Sequence, residues 1–222
     1  MVFLHRVLKV KYQFLEERPL GKNYSKVVNI LIFIFPIVII SLQVAGDIVL
    51  FILAMMGIFI AFSKKLSPFI IKEVKVFSYL TIGYFVAVCL SVLFSGKPLE
   101  LAHYIPRDFY YLLAPYIALT LYKTDVNISY LIVGIKVALL VLGIIVIYKL
   151  SLGHILAHRQ TGVINANVFG NLSVSLFFIT LVFFQNESFK QKIFTFLSLS
   201  SGLLIIAASG SRGAWLSFLI ML

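Results

Sequence analysis

Long apolar runs dominate this sequence and limit the folds that it can adopt. A helix that crosses the hydrocarbon core of a bilayer needs about 20 predominantly apolar residues. Seven runs approach this length, and an eighth begins near Gly213; the seven lie at about 27–44, 48–63, 76–95, 107–122, 128–149, 164–184 and 193–208. The sequence therefore predicts an all-α fold, a polytopic transmembrane helix bundle with seven complete spans and an incomplete eighth.

Composition supports the same class. The 222 residues are 61% hydrophobic and 12% charged, whereas soluble domains carry about 25% charged residues. We expect a basic cytoplasmic or interfacial segment at 1–26 and a transmembrane domain at 27–222. Residues 1–26 fit either a basic amphipathic helix on the membrane surface or an irregular solvated tail. The first two spans are predicted to join through a tight turn at Ala45-Gly46-Asp47.

The distribution of basic residues predicts the orientation. The formal charge of +11 could indicate nucleic-acid binding, but the lysines cluster in short loops between apolar runs, which is typical of cytoplasmic loops. With the N-terminus inside, thirteen basic residues are cytoplasmic and five are outside. The inner set is Arg6, Lys9, Lys11, Arg18, Lys22, Lys26, Lys64, Lys65, Lys72, Lys75, Lys123, Lys190 and Lys192, and the outer set is Lys97, Arg107, Lys149, Arg159 and Arg212. We therefore predict a multi-pass protein with its N-terminus inside and no nucleic-acid partner.

Arg212 is the principal candidate for a functional residue. It lies in Ser209-Gly-Ser-Arg-Gly-Ala-Trp215, between two apolar runs, on the predicted outer face with Arg107 and Arg159. A charged residue near membrane depth marks a functional site by default, and a guanidinium matches two phosphate oxygens at once. The alternative is that each arginine snorkels to a lipid phosphate or pairs with a nearby acid, such as Asp108 for Arg107.

Further polar residues accompany these arginines. Asn165, Asn167 and Asn171 lie at the start of span six, and Ser211 is one of the small neighbours that would let a bulky headgroup approach the backbone. The amides could bind sugar or phosphate, or could hydrogen-bond a neighbouring helix. His154 and His158 lack a third ligand close in sequence, so we predict no metal site and no cofactor.

Lys136 lies within span five. It is expected to face the bundle interior and to pair with a carbonyl or a tyrosine, or else to belong to a proton or ion pathway.

Two segments resemble the bacterial O-antigen ligase and O-antigen polymerase superfamily. Ser209–Trp215 looks like the Ser-Arg-Gly segment of these proteins. The stretch 159–170, Arg-Gln-Thr-Gly-Val-Ile-Asn-Ala-Asn-Val-Phe-Gly, is similar to an Arg-x-x-Gly then Asn-x-Phe-Gly segment two spans earlier. This superfamily also resembles the chain in having two closely spaced N-terminal spans before a lysine-rich inner loop.

The resemblance implies a glycosyltransferase in the bacterial inner membrane, working at its periplasmic face in lipopolysaccharide or surface-polysaccharide biosynthesis. The donor would be a glycan on undecaprenyl diphosphate, and the acceptor lipid A–core or a second lipid-linked glycan. By position, Arg212 would bind the donor diphosphate and Arg159 would be a second contact. The resemblance assigns no role to Arg107, which is a candidate only because of its charge and its place on the predicted outer face.

Family members continue with further spans and a periplasmic loop that carries a second arginine and a histidine proposed as general base. This chain ends at Leu222, so we expect it to be truncated, and whether it is itself an enzyme stays open. The alternatives are a transporter or flippase of lipid-linked or small substrates, suggested by Lys136, Pro36 and Pro115, and a non-catalytic membrane partner.

Overall fold

Every regular element that the computed structural model describes is a helix. It describes residues 21–41, 43–95, 108–151, 166–184 and 187–221. No strand occurs in these ranges, which confirms the all-α prediction. The eight helices in these described ranges are α1 (Lys22–Ser41), α2 (Gln43–Lys64), α3 (Lys72–Leu93), α4 (Tyr110–Lys123), α5 (Ile128–Ser151), α6 (Ala166–Phe183), α7 (Phe189–Ser209) and α8 (Arg212–Met221).

Four of these helices are long and apolar enough to cross a membrane. They are Ala45–Lys64 within α2, Lys72–Leu93, Ile128–Ser151 and Phe189–Ser209. Asn23–Ile39, Phe169–Phe183 and Arg212–Met221 are shorter apolar helices, and α4 has 14 residues. Length and composition thus identify a membrane protein with four candidate spans in the described ranges. The helices described at the other three predicted spans are shorter, so the prediction of seven complete spans is not confirmed.

The surface and the interior have the polarity expected of a protein dissolved in lipid. Large apolar side chains such as Phe62, Leu80 and Ile147 are exposed on the helices. Hydroxyl groups are buried instead, and those of Ser173, Thr180 and Ser198 donate to carbonyl oxygens four residues earlier in their own helices. Such exposed apolar faces mark a membrane contact, and small hydroxyl residues are typical of helix interfaces in bilayers.

The predicted turn between the first two spans is wrong. Ala45, Gly46 and Asp47 lie inside α2, which already begins at Gln43. A Cβ atom on Gly46 would lie 2.9 Å from the Cα atom of Ile39 in α1. The glycine therefore serves close packing between the two helices and not a reversal of the chain.

Contacts divide the described part of the chain into two compact units. The first comprises the described residues within 1–28 and 50–126, and the second comprises the described residues within 29–49 and 127–222.

In the first unit, α2 and α4 meet at a glycine. The Thr120 hydroxyl donates to the Leu53 carbonyl oxygen at 2.8 Å, and Leu119 is fully buried beside it. A Cβ atom on Gly57 would lie 1.9 Å from the Tyr116 carbonyl oxygen and 2.8 Å from the Thr120 hydroxyl oxygen. The backbones can approach this closely only because Gly57 has no side chain.

We expect Gly57→Ala to destabilise the protein by about 1–3 kcal/mol, because the added methyl group overlaps a backbone atom that cannot move without separating the helices. Gly83→Ala is the matched control. Gly83 lies within α3, and a Cβ atom there would have nothing within 4 Å. Thermal unfolding in detergent should show a lower midpoint for Gly57→Ala only. Equal midpoints for the two variants would contradict the contact.

In the second unit, α5, α6 and α7 form the core, and α8 packs on α6. Gly143 of α5 faces Ser201 of α7, and Gly202 faces Phe177 of α6. The Phe177 and Phe218 rings pack edge to face at 5.3 Å, which joins α6 to α8. The principal buried apolar cluster is Ile135, Ala138, Leu139, Leu142, Val146, Phe169, Leu176, Ile205 and Ala208.

Candidate functional site

The turn between α7 and α8 carries the principal candidate residue and has a defined conformation. Gly210 ends α7 with φ 58° and ψ 17°, in the left-handed region that favours glycine. Its N–H donates to the Ala207 carbonyl oxygen at 3.3 Å. This is the usual glycine termination of a helix, and it lets α8 begin two residues later.

Two buried serines hold this turn. The Ser209 hydroxyl donates to the Ile206 carbonyl oxygen at 2.8 Å and accepts the Ser211 N–H at 3.3 Å. The Ser211 hydroxyl oxygen accepts the Ala214 N–H at 3.3 Å, so Ser211 is the N-cap of α8. Ser211, a predicted substrate contact, therefore lies 1% exposed and stabilises the start of the helix.

Gly170 of α6 packs against the two serines. A Cβ atom on Gly170 would lie 2.7 Å from the Ser209 hydroxyl oxygen, 2.8 Å from the Ala214 Cβ atom and 3.2 Å from the Ser211 Cβ atom. The last glycine of the 159–170 motif is thus in contact with the Ser-Arg-Gly motif. The neighbouring Asn171 is exposed, and its Oδ1 atom would lie 3.7 Å from a Cβ atom on Gly213.

We expect Gly170→Ala to displace the α7–α8 turn and to lower stability by about 1–3 kcal/mol, because three atoms of the turn already occupy the space of a methyl group. Gly213→Ala is the matched control, because its nearest neighbours lie at ordinary contact distance, 3.7 and 3.8 Å. Thermal unfolding midpoints of the two variants in the same detergent provide the measurement. A destabilised Gly213→Ala variant beside an unchanged Gly170→Ala variant would contradict this packing.

Arg212 is the first residue of α8, and its side chain is exposed. It makes no hydrogen bond or ion pair with any residue in the described ranges. Within those ranges the N–H groups of Arg212 and Gly213 also lack an acceptor, whereas the N–H groups of Ala214 and Trp215 are bonded to Ser211. A guanidinium thus stands beside free N–H groups at the positive end of a helix, an arrangement that favours an anion.

The other predicted site residues are only partly placed. Arg107, Arg159 and Asn165 lie outside the described residues, as do His154 and His158. Asn167 belongs to α6, but its side chain is outside the description. The structure therefore brings Ser211, Arg212 and Gly213 together with Gly170 and Asn171.

A second polar cluster lies in the interior of the second unit. The Lys136 ammonium forms an ion pair with Oε1 of Glu187, and the two side chains are 4% and 10% exposed. The Thr195 hydroxyl donates to Oε2 of the same carboxylate. The expected carbonyl or tyrosine partner of Lys136 is thus replaced by a carboxylate, and each charge of the pair has the opposite charge beside it.

Sequence reasoning did not single out Glu187. It stands between α6 and α7, 51 residues from Lys136, and no short-range pattern connects the two. The sequence does contain a helix-start signal directly after Glu187, the capping box of Ser188 and Gln191. In the structure, Gln191 Oε1 accepts the Ser188 N–H at 3.0 Å. Within the described ranges, no group of three or more histidine, cysteine, aspartate or glutamate residues could hold a metal ion.

No protein-family model matches this chain, and no curated protein is significantly similar to it. The functional assignment therefore rests on the two motifs and on the geometry of the α7–α8 turn.

Proposed function

We propose that this protein is a glycosyltransferase of the O-antigen ligase or polymerase type, with seven spans in the bacterial inner membrane. It transfers or polymerises glycan from undecaprenyl diphosphate at the periplasmic face, with lipid A–core or a second lipid-linked glycan as acceptor. The observation that carries the proposal is Arg212, which stands exposed and without a described partner at the start of α8.

The chemistry fits this placement. Glycosyl transfer from a diphosphate develops negative charge on the departing phosphate, and fixed donors in a site of low dielectric stabilise that charge. Arg212 supplies the permanent charge, and its own N–H and that of Gly213 supply donors that need no reorganisation. Arg159, Arg107, Asn165 and Asn167 are proposed as further contacts to the donor.

Contacts near the start of α1 support an even number of crossings between the start of span one and the end of span four. The Ser25 hydroxyl oxygen accepts the Asp125 N–H at 3.2 Å, and the Asn29 Oδ1 atom accepts the Asn127 N–H at 2.9 Å. Four crossings, an even number, are proposed between these points, so both should lie on one side of the membrane. Lys190 lies near the start of the 21-residue α7 and Arg212 lies after its end, so the two residues are about 30 Å apart along the helix. This distance would place them at opposite faces of the membrane.

The proposal is tested by reconstituting the purified protein with a glycan on undecaprenyl diphosphate and an acceptor. A glycosyltransferase releases undecaprenyl diphosphate in proportion to the new glycosidic bonds, which mass spectrometry of the lipid and the glycan measures. Substrate that crosses the vesicle membrane with no new bond would instead identify a transporter. If a folded, monodisperse preparation shows neither new glycosidic bonds nor substrate movement, both assignments are wrong.

The Lys136–Glu187 pair is the observation that favours transport as a second candidate. Ionisable residues inside a membrane protein often mark ion or substrate pathways, and this pair is nearly shielded from solvent. Transport would require Lys136→Met to abolish substrate movement in proteoliposomes without unfolding the protein. The Thr195 hydroxyl bond to Glu187 favours a structural role instead, because the carboxylate already has two partners.

A further inference from the structure

The loop that joins α2 to α3 presents a dense group of positive charges. Lys64 ends α2, Lys65 follows it, and Lys72 and Lys75 lie in the first turn of α3. All four side chains are exposed, and Glu73 is the one acid among residues 64–75. None of the four lysines makes an ion pair with a residue in the described part of the chain. We call residues 64–75 the α2–α3 basic loop.

This loop is held in one conformation by its own hydrogen bonds. The Leu66 N–H donates to the Ala61 carbonyl oxygen at 3.0 Å, and the Ile70 N–H donates to the Ser67 carbonyl oxygen at 3.1 Å. The buried Ser78 hydroxyl of α3 lies 3.4 Å from the Pro68 carbonyl oxygen. The fixed backbone presents Ile70 outward, with its side chain 80% exposed.

The apolar surroundings of the α2–α3 basic loop place it at a membrane boundary. Phe62 precedes it with an 81% exposed side chain, and Val76 and Leu80 follow it with exposed side chains on α3. The Tyr79 ring lies 5.7 Å from the Phe69 ring and 5.9 Å from the Lys75 ammonium. An aromatic ring beside a cation is typical of the headgroup level of a bilayer, where apolar and polar surroundings meet.

We propose that the α2–α3 basic loop is a binding site for the headgroup of an anionic phospholipid. The four ammonium groups attract phosphate, and the exposed Ile70 enters the acyl-chain region beneath it. Clusters of at least four basic residues next to a membrane helix are the arrangement that binds anionic lipid. A free phosphate ion would use the charges but would leave Ile70 without an apolar partner, so the site fits a lipid and not a soluble anion.

Lys72→Gln/Lys75→Gln is the variant that tests this site, and Lys190→Gln/Lys192→Gln is its matched control. Both pairs lie in the first turn of a helix, and one lysine of each pair stands over an aromatic ring. Binding is measured on the purified chain in detergent, by native mass spectrometry with phosphatidylglycerol and with phosphatidylcholine. We expect the Lys72/Lys75 variant to bind phosphatidylglycerol about 30-fold more weakly, the factor expected for two lysines near an anionic surface.

Three further measurements make the outcome decisive. Lys72→Arg/Lys75→Arg should bind like the original chain, because the charge is kept, and Ile70→Ser should weaken the complex. Equal binding by the Lys72/Lys75 glutamine variant, an equal loss in the control, or equal binding of phosphatidylcholine would overturn the proposal. Displacement of the lipid by excess inorganic phosphate would identify a site for the free anion and would also overturn it.

Discussion

Arg212→Ala is expected to lower glycan transfer about 100-fold or more, because loss of one preorganised donor to a developing anion has an effect of this size. The alanine keeps the Ser211 cap and the left-handed Gly210, so the turn itself should persist. The measurement is the length distribution of surface glycan on gels from cells that carry the variant protein. Reconstituted transfer rates should fall by the same factor.

Two further variants separate the contribution of the planar Arg212 guanidinium from that of its positive charge. Arg212→Lys keeps the charge but loses the planar, two-point contact with phosphate, so we expect an intermediate rate. Lys149→Gln removes one basic residue from the last turn of α5, on the same predicted side of the membrane, and should leave transfer nearly unchanged. Normal long-chain glycan from Arg212→Ala at an equal protein level would sink the assignment.

Lys136→Met is expected to destabilise the protein by about 3–5 kcal/mol, because it leaves the Glu187 carboxylate buried without its counter-charge. The Thr195 hydroxyl would remain bonded to that carboxylate but could not neutralise it. Thermal unfolding in detergent, followed by helical circular dichroism, provides the measurement. Glu187→Leu should have a comparable effect, since it leaves the Lys136 ammonium buried without its counter-charge.

The double variant Lys136→Met/Glu187→Leu tests the pairing itself. Removing both charges together should recover most of the lost stability, since well-packed apolar residues often replace a buried ion pair without loss. Lys190→Met serves as the single-charge control, because the Lys190 side chain is exposed at the start of α7. A Lys136→Met variant as stable as the original chain, or a double variant no better than the singles, would be inconsistent with a buried pair.

The predicted spans and the structure agree where hydrophobicity alone decides. Span five was predicted at about 128–149, and α5 occupies Ile128–Ser151. Span seven, predicted at about 193–208, begins four residues earlier in the structure, at Phe189. That first turn contains Lys190 and Lys192, which lowered its apparent hydrophobicity although a helix tolerates them at its polar end. Helix ends depend on capping, as at Ser188, and are less evident from composition.

The candidate site was predictable only in part. The Ser-Arg-Gly motif drew attention to Arg212, because a charge between apolar runs is unusual in any sequence. That Ser211 caps α8, and that Gly170 packs on the turn from another helix, follow from contacts between residues up to 44 positions apart. The predicted turn at Gly46 failed for a related reason, since a glycine that permits a turn equally permits close packing of helices.

The formation of apolar helices suited to a membrane follows from the local sequence of each segment. Partition between water and lipid acts on each segment separately, and backbone groups in a bilayer must be satisfied within the segment. Which residues meet, such as Lys136 with Glu187 and Gly170 with Ser209, depends on how the helices pack in three dimensions. Those pairings depend on the rotation and axial position of each helix against its neighbours, and packing sets both after the helices have formed.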